Sequence, residues 1–188
     1  MEDRTMDWNS AKGILRRGMS IERDGYAFYM AASDRASDEY GEEMFRDLAY
    51  QEVDHLHLLL VEYAALESGE GWIPYQEAME RDLEIDPENP DLPGEEPPME
   101  DMPVFSPQRE CSLEGDIEAL DCGLETEVLA REIYAQGVEQ AEDEKAKEAY
   151  KFLIKQEEQH YELLQNTRDY LVNHQTWWDS TERPFFIG

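Results

Sequence analysis

Glu52 with His55, and Glu157 with His160, form two Glu-x-x-His motifs. Helical residues three apart share a face, so each pair can aim a carboxylate and an imidazole at one point. Oxygen and imidazole donors without a thiolate suit Fe, Mn or Zn rather than Cu(I). One such motif is weak evidence in a chain with 46 Asp+Glu and 4 His. Here the two are linked, because each follows another glutamate, Glu22 or Glu127, by 30 residues. Four carboxylates carry −4, which two divalent ions would cancel, so the chemistry on offer is that of a dinuclear metal centre.

The elements that must position these residues are helices. Two stretches, about 10–67 and 113–174, contain no proline and are rich in Ala, Glu, Leu, Arg, Lys, Met and Gln, which favour helix. Polar breaks near 33–40 and 139–145 split each into a hairpin, with Ser37 or Asp38 and then Asp143 as N-caps. Four long helices are expected, at about 11–34, 39–67, 115–140 and 144–173, with a short one near Pro74–Leu83. A gapless shift of 105 residues superimposes the two stretches, with 14 identities over the 50 positions from 14 to 63. Leu15, Gly18, Glu22, Tyr29, Leu48, Gln51, Glu52 and His55 land on Leu120, Gly123, Glu127, Tyr134, Leu153, Gln156, Glu157 and His160. That is an internal duplication.

Alternating steps of three and four trace one seam per helix. The first holds Leu15, Gly18, Glu22, Gly25, Tyr29 and Ala32; the second Phe45, Leu48, Glu52, His55 and Leu59. The third holds Leu120, Gly123, Glu127, Ala130, Tyr134, Gly137 and Ala141. The fourth runs through Tyr150, Leu153, Glu157, His160, Leu164, Thr167 and Leu171. Every seam is apolar or small except for its glutamate or Glu-x-x-His. An ionised carboxylate in a dry core costs several kcal/mol unless paired or bound to metal. Cations account for all four glutamates at once. Glycines on the seams are expected to let helices approach closely.

At 188 residues and 40% hydrophobic, the chain is one domain with a sizeable core. A net charge of −30 argues against nucleic acid and anionic membrane partners and for a heavily solvated exterior. The longest strictly aliphatic run, Leu58-Leu59-Leu60-Val61, is too short to span a bilayer, and no secretory signal is read, so the expected compartment is the cytoplasm. Cys111 and Cys122 fit neither a disulfide scaffold nor a thiolate metal site. Seven of the nine prolines lie between Pro87 and Pro107 among acidic residues, so roughly 84–110 reads as irregular. The organisation expected for the single domain 1–188 is a hairpin at 10–67, an acidic Pro-rich crossover at 68–112, a hairpin at 113–174 and an aromatic tail at 175–188. That tail, with Trp177, Trp178, Phe185 and Phe186, is expected to cap the bundle or form a subunit interface.

Glutamate on one helix of each pair and Glu-x-x-His on the other resembles the carboxylate-bridged di-iron proteins of the ferritin-like superfamily. Within it, the two similar halves resemble the rubrerythrins. The resemblance covers about two thirds of the chain and implies an all-α, ferritin-like four-helix bundle. It further implies Glu22 and His55 as terminal ligands of one iron, Glu127 and His160 as those of the other, and Glu52 and Glu157 as bridges. The function implied is reduction of H₂O₂ or O₂ with electrons from a separate donor such as a rubredoxin, in a homodimer. The chain departs from many rubrerythrins by carrying no Cys-x-x-Cys pair, and Ala130 stands where they have a further iron-binding glutamate. A ferroxidase or iron-storage protein, a manganese-catalase-like enzyme and an inert zinc bundle are the alternative functions. Tyr29 and Tyr134, seven residues past Glu22 and Glu127, are candidate catalytic residues; the competing reading is a core tyrosine whose hydroxyl needs a partner. His57 is expected at the surface and His174 at a helix end, neither as a ligand.

Overall fold

The computed structural model describes residues 10–83, 85–86, 113 and 115–178. Helices α1 (Ala11–Ser33), α2 (Glu39–Ser68), α3 (Tyr75–Glu80), α4 (Asp116–Gln140) and α5 (Glu144–His174) follow in order, with no strand among the described residues. The caps are local chemistry. Ser10 Oγ accepts from the Gly13 amide at 3.1 Å, Asp38 Oδ1 from Tyr40 at 3.0 Å and Asp143 Oδ1 from Lys145 at 2.8 Å. Each satisfies one of the amides that a helix start leaves unpaired. Asp38 is therefore the cap of α2, and Ser37 instead bonds Asp116 through its amide at 3.1 Å and its hydroxyl.

α1 packs along α2 and α4 along α5, giving two hairpins that meet chiefly through α1 and α4. This all-helical arrangement is compatible with a ferritin-like bundle. The α1–α4 approach depends on small residues. A methyl group added at Gly18 would stand 3.0 Å from Leu59 and 3.1 Å from Tyr134, and one at Gly123 3.1 Å from Leu164 and 3.3 Å from Tyr29. The seam residues read from sequence are buried, apart from Ala141, which is half-buried because α4 has already ended and Ala141 is its C-cap.

Two apolar clusters fill the bundle. One gathers Ile14, Leu15, Leu56, Leu59, Tyr134, Tyr150 and their neighbours; the other gathers Tyr29, Phe45, Leu48, Leu120, Leu164 and the tail residues Trp177 and Trp178. Trp177 is tied down by its indole N–H, which donates to Asp116 Oδ2 at 2.7 Å. Asp116 thus clamps the α1–α2 turn, the start of α4 and the tail together.

Three expectations need correcting. His57 is half-buried rather than at the surface, with Nε2 held 2.9 Å from the Arg81 carbonyl just past α3. Cys122 is disulfide-bonded, against the reading that the two cysteines fit no disulfide scaffold; Cys111 lies outside the described residues. Glu62 and Arg17, absent from the candidate core, are buried. Most of the acidic Pro-rich stretch and the tail beyond Trp178, with Phe185 and Phe186, lie outside the described residues.

Gly41 lies in the first turn of α2 beneath Trp177, where an added Cβ would fall 2.5 Å from the ring. Gly41→Ala is expected to lower stability by about 1–3 kcal/mol, the usual cost of overpacking, since the helix-propensity gain is smaller. A lowered urea midpoint with a red-shifted tryptophan emission would register the displaced indole.

Candidate metal centre

The centre lies between the two apolar clusters. α1 supplies Glu22, α2 Glu52 and His55, α4 Glu127, and α5 Glu157 and His160, and none of the six is more than 3% exposed. Their donor atoms fall into two overlapping sets, Glu22–Glu52–His55–Glu157 and Glu52–Glu127–Glu157–His160, each with its atoms within 4.8 Å of one another. Glu52 and Glu157 belong to both sets. His55 Nδ1 is 3.1 Å from Glu157, 3.3 Å from Glu52 and 3.4 Å from Glu22. His160 Nδ1 is 3.3 Å from Glu157, 3.5 Å from Glu52 and 3.6 Å from Glu127. The imidazoles lie nearly parallel, centroids 5.3 Å apart.

Side chains around the six fix their orientation. Tyr134 on α4 donates its hydroxyl to Glu22 on α1, and Tyr29 on α1 donates to Glu127 on α4. Each hairpin's tyrosine therefore holds the other hairpin's glutamate. His160 Nε2 sits 3.3 Å from Gln51 Oε1, an N–H···O contact that leaves Nδ1 free to face the carboxylates.

Without cations, this much buried charge is neutralised by protons. Burial raises Glu22 and Glu127 well above the carboxylate range, and the charges of Glu157 and Glu52 push the same way. Burial would also raise Glu52, but its contacts with Glu22, His160 and His55 bring it down to about 2. Glu157 is likewise held below the ordinary range against burial, here by His55 and His160. Burial works against protonating the imidazoles, yet the surrounding carboxylates, Glu157 for His55 and Glu127 for His160, raise both well above the usual value. The raised groups favour the proton and the lowered ones the carboxylate, so charge is offset within the cluster.

The donor set fits two divalent cations. Both Glu157 oxygens and His160 Nδ1 are buried and held only by ion-pair contacts that lack hydrogen-bond geometry. Shared bridging carboxylates, one imidazole per set and an even division of the acids are what two adjacent ions require. One buried acid lies outside the sets. Glu62, seven residues past His55, accepts from the Ile73 amide at 3.2 Å, and burial raises it to about 7 despite that bond. Its position on the α2 seam, three past Leu59, was the available signal. His57 and His174 take no part in the centre.

Replacing protons by cations has a measurable sign. Two equivalents of Zn(II) added to metal-free protein at neutral pH should release protons from the raised carboxyls and imidazoles. The raised groups stabilise the metal-free fold fully below their unfolded values, and that contribution fades as pH rises. Urea midpoints of metal-free protein should therefore fall from mildly acid to alkaline pH, and added Zn(II) should restore the alkaline values. Weakly buffered calorimetry and paired denaturation curves check both.

Residues 13–93 match the family model described as Rubrerythrin. The matched span takes in almost all of α1, the whole of α2 and α3, and with them Glu22, Glu52 and His55. No curated protein and no solved structure matches the chain. Over that span the chain is similar to the rubrerythrins, and its all-helical bundle and a buried Glu–His cluster that could hold metal are consistent with a rubrerythrin-like, ferritin-like protein.

Proposed function

We propose that this protein is a dinuclear-metal oxidoreductase of rubrerythrin type, which binds two iron ions and reduces H₂O₂ or O₂ with electrons from a separate donor protein such as a rubredoxin. The observation that carries the reading is the pair of buried donor sets sharing Glu52 and Glu157. Glu22 and His55 would hold one ion, Glu127 and His160 the other, and Glu52 and Glu157 would span the two. When bound, such a pair supplies two electrons for cleaving an O–O bond.

The chain's own contribution is positional and electrostatic. Four carboxylates neutralise two divalent charges, so loading the site leaves no large net charge in the core. The tyrosine hydroxyls at Glu22 and Glu127 keep those carboxylates pointed inward and hold two protons beside the place where negatively charged oxygen would develop. Burial raises both hydroxyls well above the ordinary tyrosine range, with Glu127 acting most on Tyr29 and Glu22 on Tyr134, so they serve as hydrogen-bond donors rather than phenolates. Gln51 orients His160. The apolar layers on either side exclude bulk water, which strengthens every interaction between them. Ala130, 4% exposed, adds no carboxylate to the six.

Anaerobic Fe(II) titration should give two ions per chain, oxidised by H₂O₂ much faster than free Fe(II). Glu157→Ala, removing a shared ligand, should abolish paired binding, whereas Tyr134→Phe should retain both ions and slow oxidation about tenfold, as loss of a ligand's hydrogen bond typically does. Native protein containing only zinc, or manganese with O₂ evolution from H₂O₂, would replace this reading with one of the alternatives.

A further inference from the structure

The two halves differ sharply at one core ring. Under the 105-residue shift, Phe45 corresponds to Tyr150. Both rings stack on a tyrosine that holds a cluster glutamate: Phe45 on Tyr29 with centroids 6.3 Å apart, Tyr150 on Tyr134 at 6.2 Å. Phenylalanine evidently fills such a position. Yet Tyr150 carries a hydroxyl that is buried without a hydrogen-bond partner, an unfavourable choice if the ring serves packing alone.

What surrounds Tyr150 supplies another reason for the hydroxyl. Its ring meets Trp72 edge-on at 5.6 Å, and Trp72 is half-buried. A cavity of about 390 Å³ beside the α4–α5 turn is lined by Trp72, Tyr150, Gly137 and Asp143. Trp72 is held there at two points, by the Lys145 ammonium donating to its carbonyl at 3.0 Å and by Glu62 accepting from the next amide. Glu62 is also the one charged group whose field raises Tyr150 after burial has done so. Its counterpart in the second half is Thr167. The route toward Glu22 therefore carries Trp, Tyr, Tyr and a buried base, whereas the route toward Glu127 meets phenylalanine.

We propose that Trp72, Tyr150 and Tyr134 form a one-electron relay between this cavity and the Glu22 side of the metal centre. Tyr150 gives one electron through the Tyr134 ring to the oxidised centre and its phenolic proton, by way of a bridging water, to the Glu62 carboxylate, whose Oε1 is likewise buried without a partner, becoming a neutral tyrosyl radical. A one-electron reductant at the cavity then returns an electron through Trp72, and Glu62 returns the proton. The donor loses one electron, the centre gains one, and no proton is consumed by the relay. Glu62 and Lys145 are positioning residues for Trp72. The relay's role in turnover rests on the redox reading given above; the Trp72-to-Tyr150 step does not.

Two experiments separate these. In metal-free protein, azide radicals oxidise accessible tryptophan, and Tyr150, at 1% exposure, is shielded from direct attack. Freeze-quenched samples should give a tyrosyl signal from which Tyr150→Phe and Trp72→Phe remove the same share, with circular dichroism unchanged. No loss in either variant, or loss in Tyr150→Phe alone, overturns the relay. In protein loaded with Fe(II) and oxidised by H₂O₂, both variants should oxidise at the wild-type rate and be re-reduced by ascorbate roughly tenfold more slowly. Wild-type re-reduction in both variants overturns the relay and leaves the proposed function standing. Failure of the iron to oxidise, with the metal-free result intact, overturns the function and leaves the Trp72–Tyr150 step.

Discussion

Four carboxylates in the dry middle of a helical bundle are the constraint to which the rest of the structure answers. Desolvating an ion costs several kcal/mol even after relaxation. A domain's whole stability is about 5–15 kcal/mol, so four unpaired carboxylates cannot be tolerated. In the metal-free chain burial and neighbouring charge push Glu22 and Glu127 toward the neutral acid, while the carboxylates around His55 and His160 push both toward the imidazolium that faces Glu52 and Glu157. Cations would offset the same charge with less compromise, because both Glu157 oxygens and His160 Nδ1 make only ion-pair contacts without hydrogen-bond geometry. A site stable in either state, but unsatisfied in one, is suited to taking up metal after folding.

The same constraint explains why the hairpins need each other. Tyr29 reaches from α1 to Glu127 on α4, and Tyr134 makes the reciprocal bond to Glu22. Neither hairpin alone can complete a donor set or satisfy its own tyrosine, so bundle assembly and site formation are one event. The crossed bonds also require α1 and α4 to lie close, which Gly18 and Gly123 permit. The bulkier imidazoles occupy α2 and α5, the pair that meets less intimately.

Much of this was legible before any coordinates. Helix bounds follow from proline-free composition and capping side chains, and the sequence-based ranges differ from the observed ones by a residue at most for the four long helices. The six cluster residues were legible because seam periodicity marks positions that must be buried, and ionisable residues there have few solutions. Elsewhere, contacts made by loops carry no period. Glu62 bonds an amide in the turn after α2, His57 a carbonyl beyond α3, and Trp177 a carboxylate at the start of α4. The disulfide at Cys122 was missed for a similar reason, since two cysteines without a Cys-x-x-Cys pair give no periodic signal of bonding. Tyr29 and Tyr134 fall between these cases. Periodicity placed them in the core, but which glutamate each would hold depends on how the hairpins dock, and the partner lies across the bundle rather than on the same helix.

The charge of −30 acts on this site differently for each species that reaches it. A surface of one sign raises the local concentration of cations and repels anions, within a screening length of about 8 Å at physiological ionic strength. Divalent ions are therefore drawn toward the bundle, whereas H₂O₂ and O₂, being neutral, gain and lose nothing. Anionic oxidants and anionic reductants are disfavoured at the surface, and a buried centre adds a desolvation cost for any charged species. An acidic exterior around a buried cluster of carboxylates thus favours cations over anions as guests by charge alone.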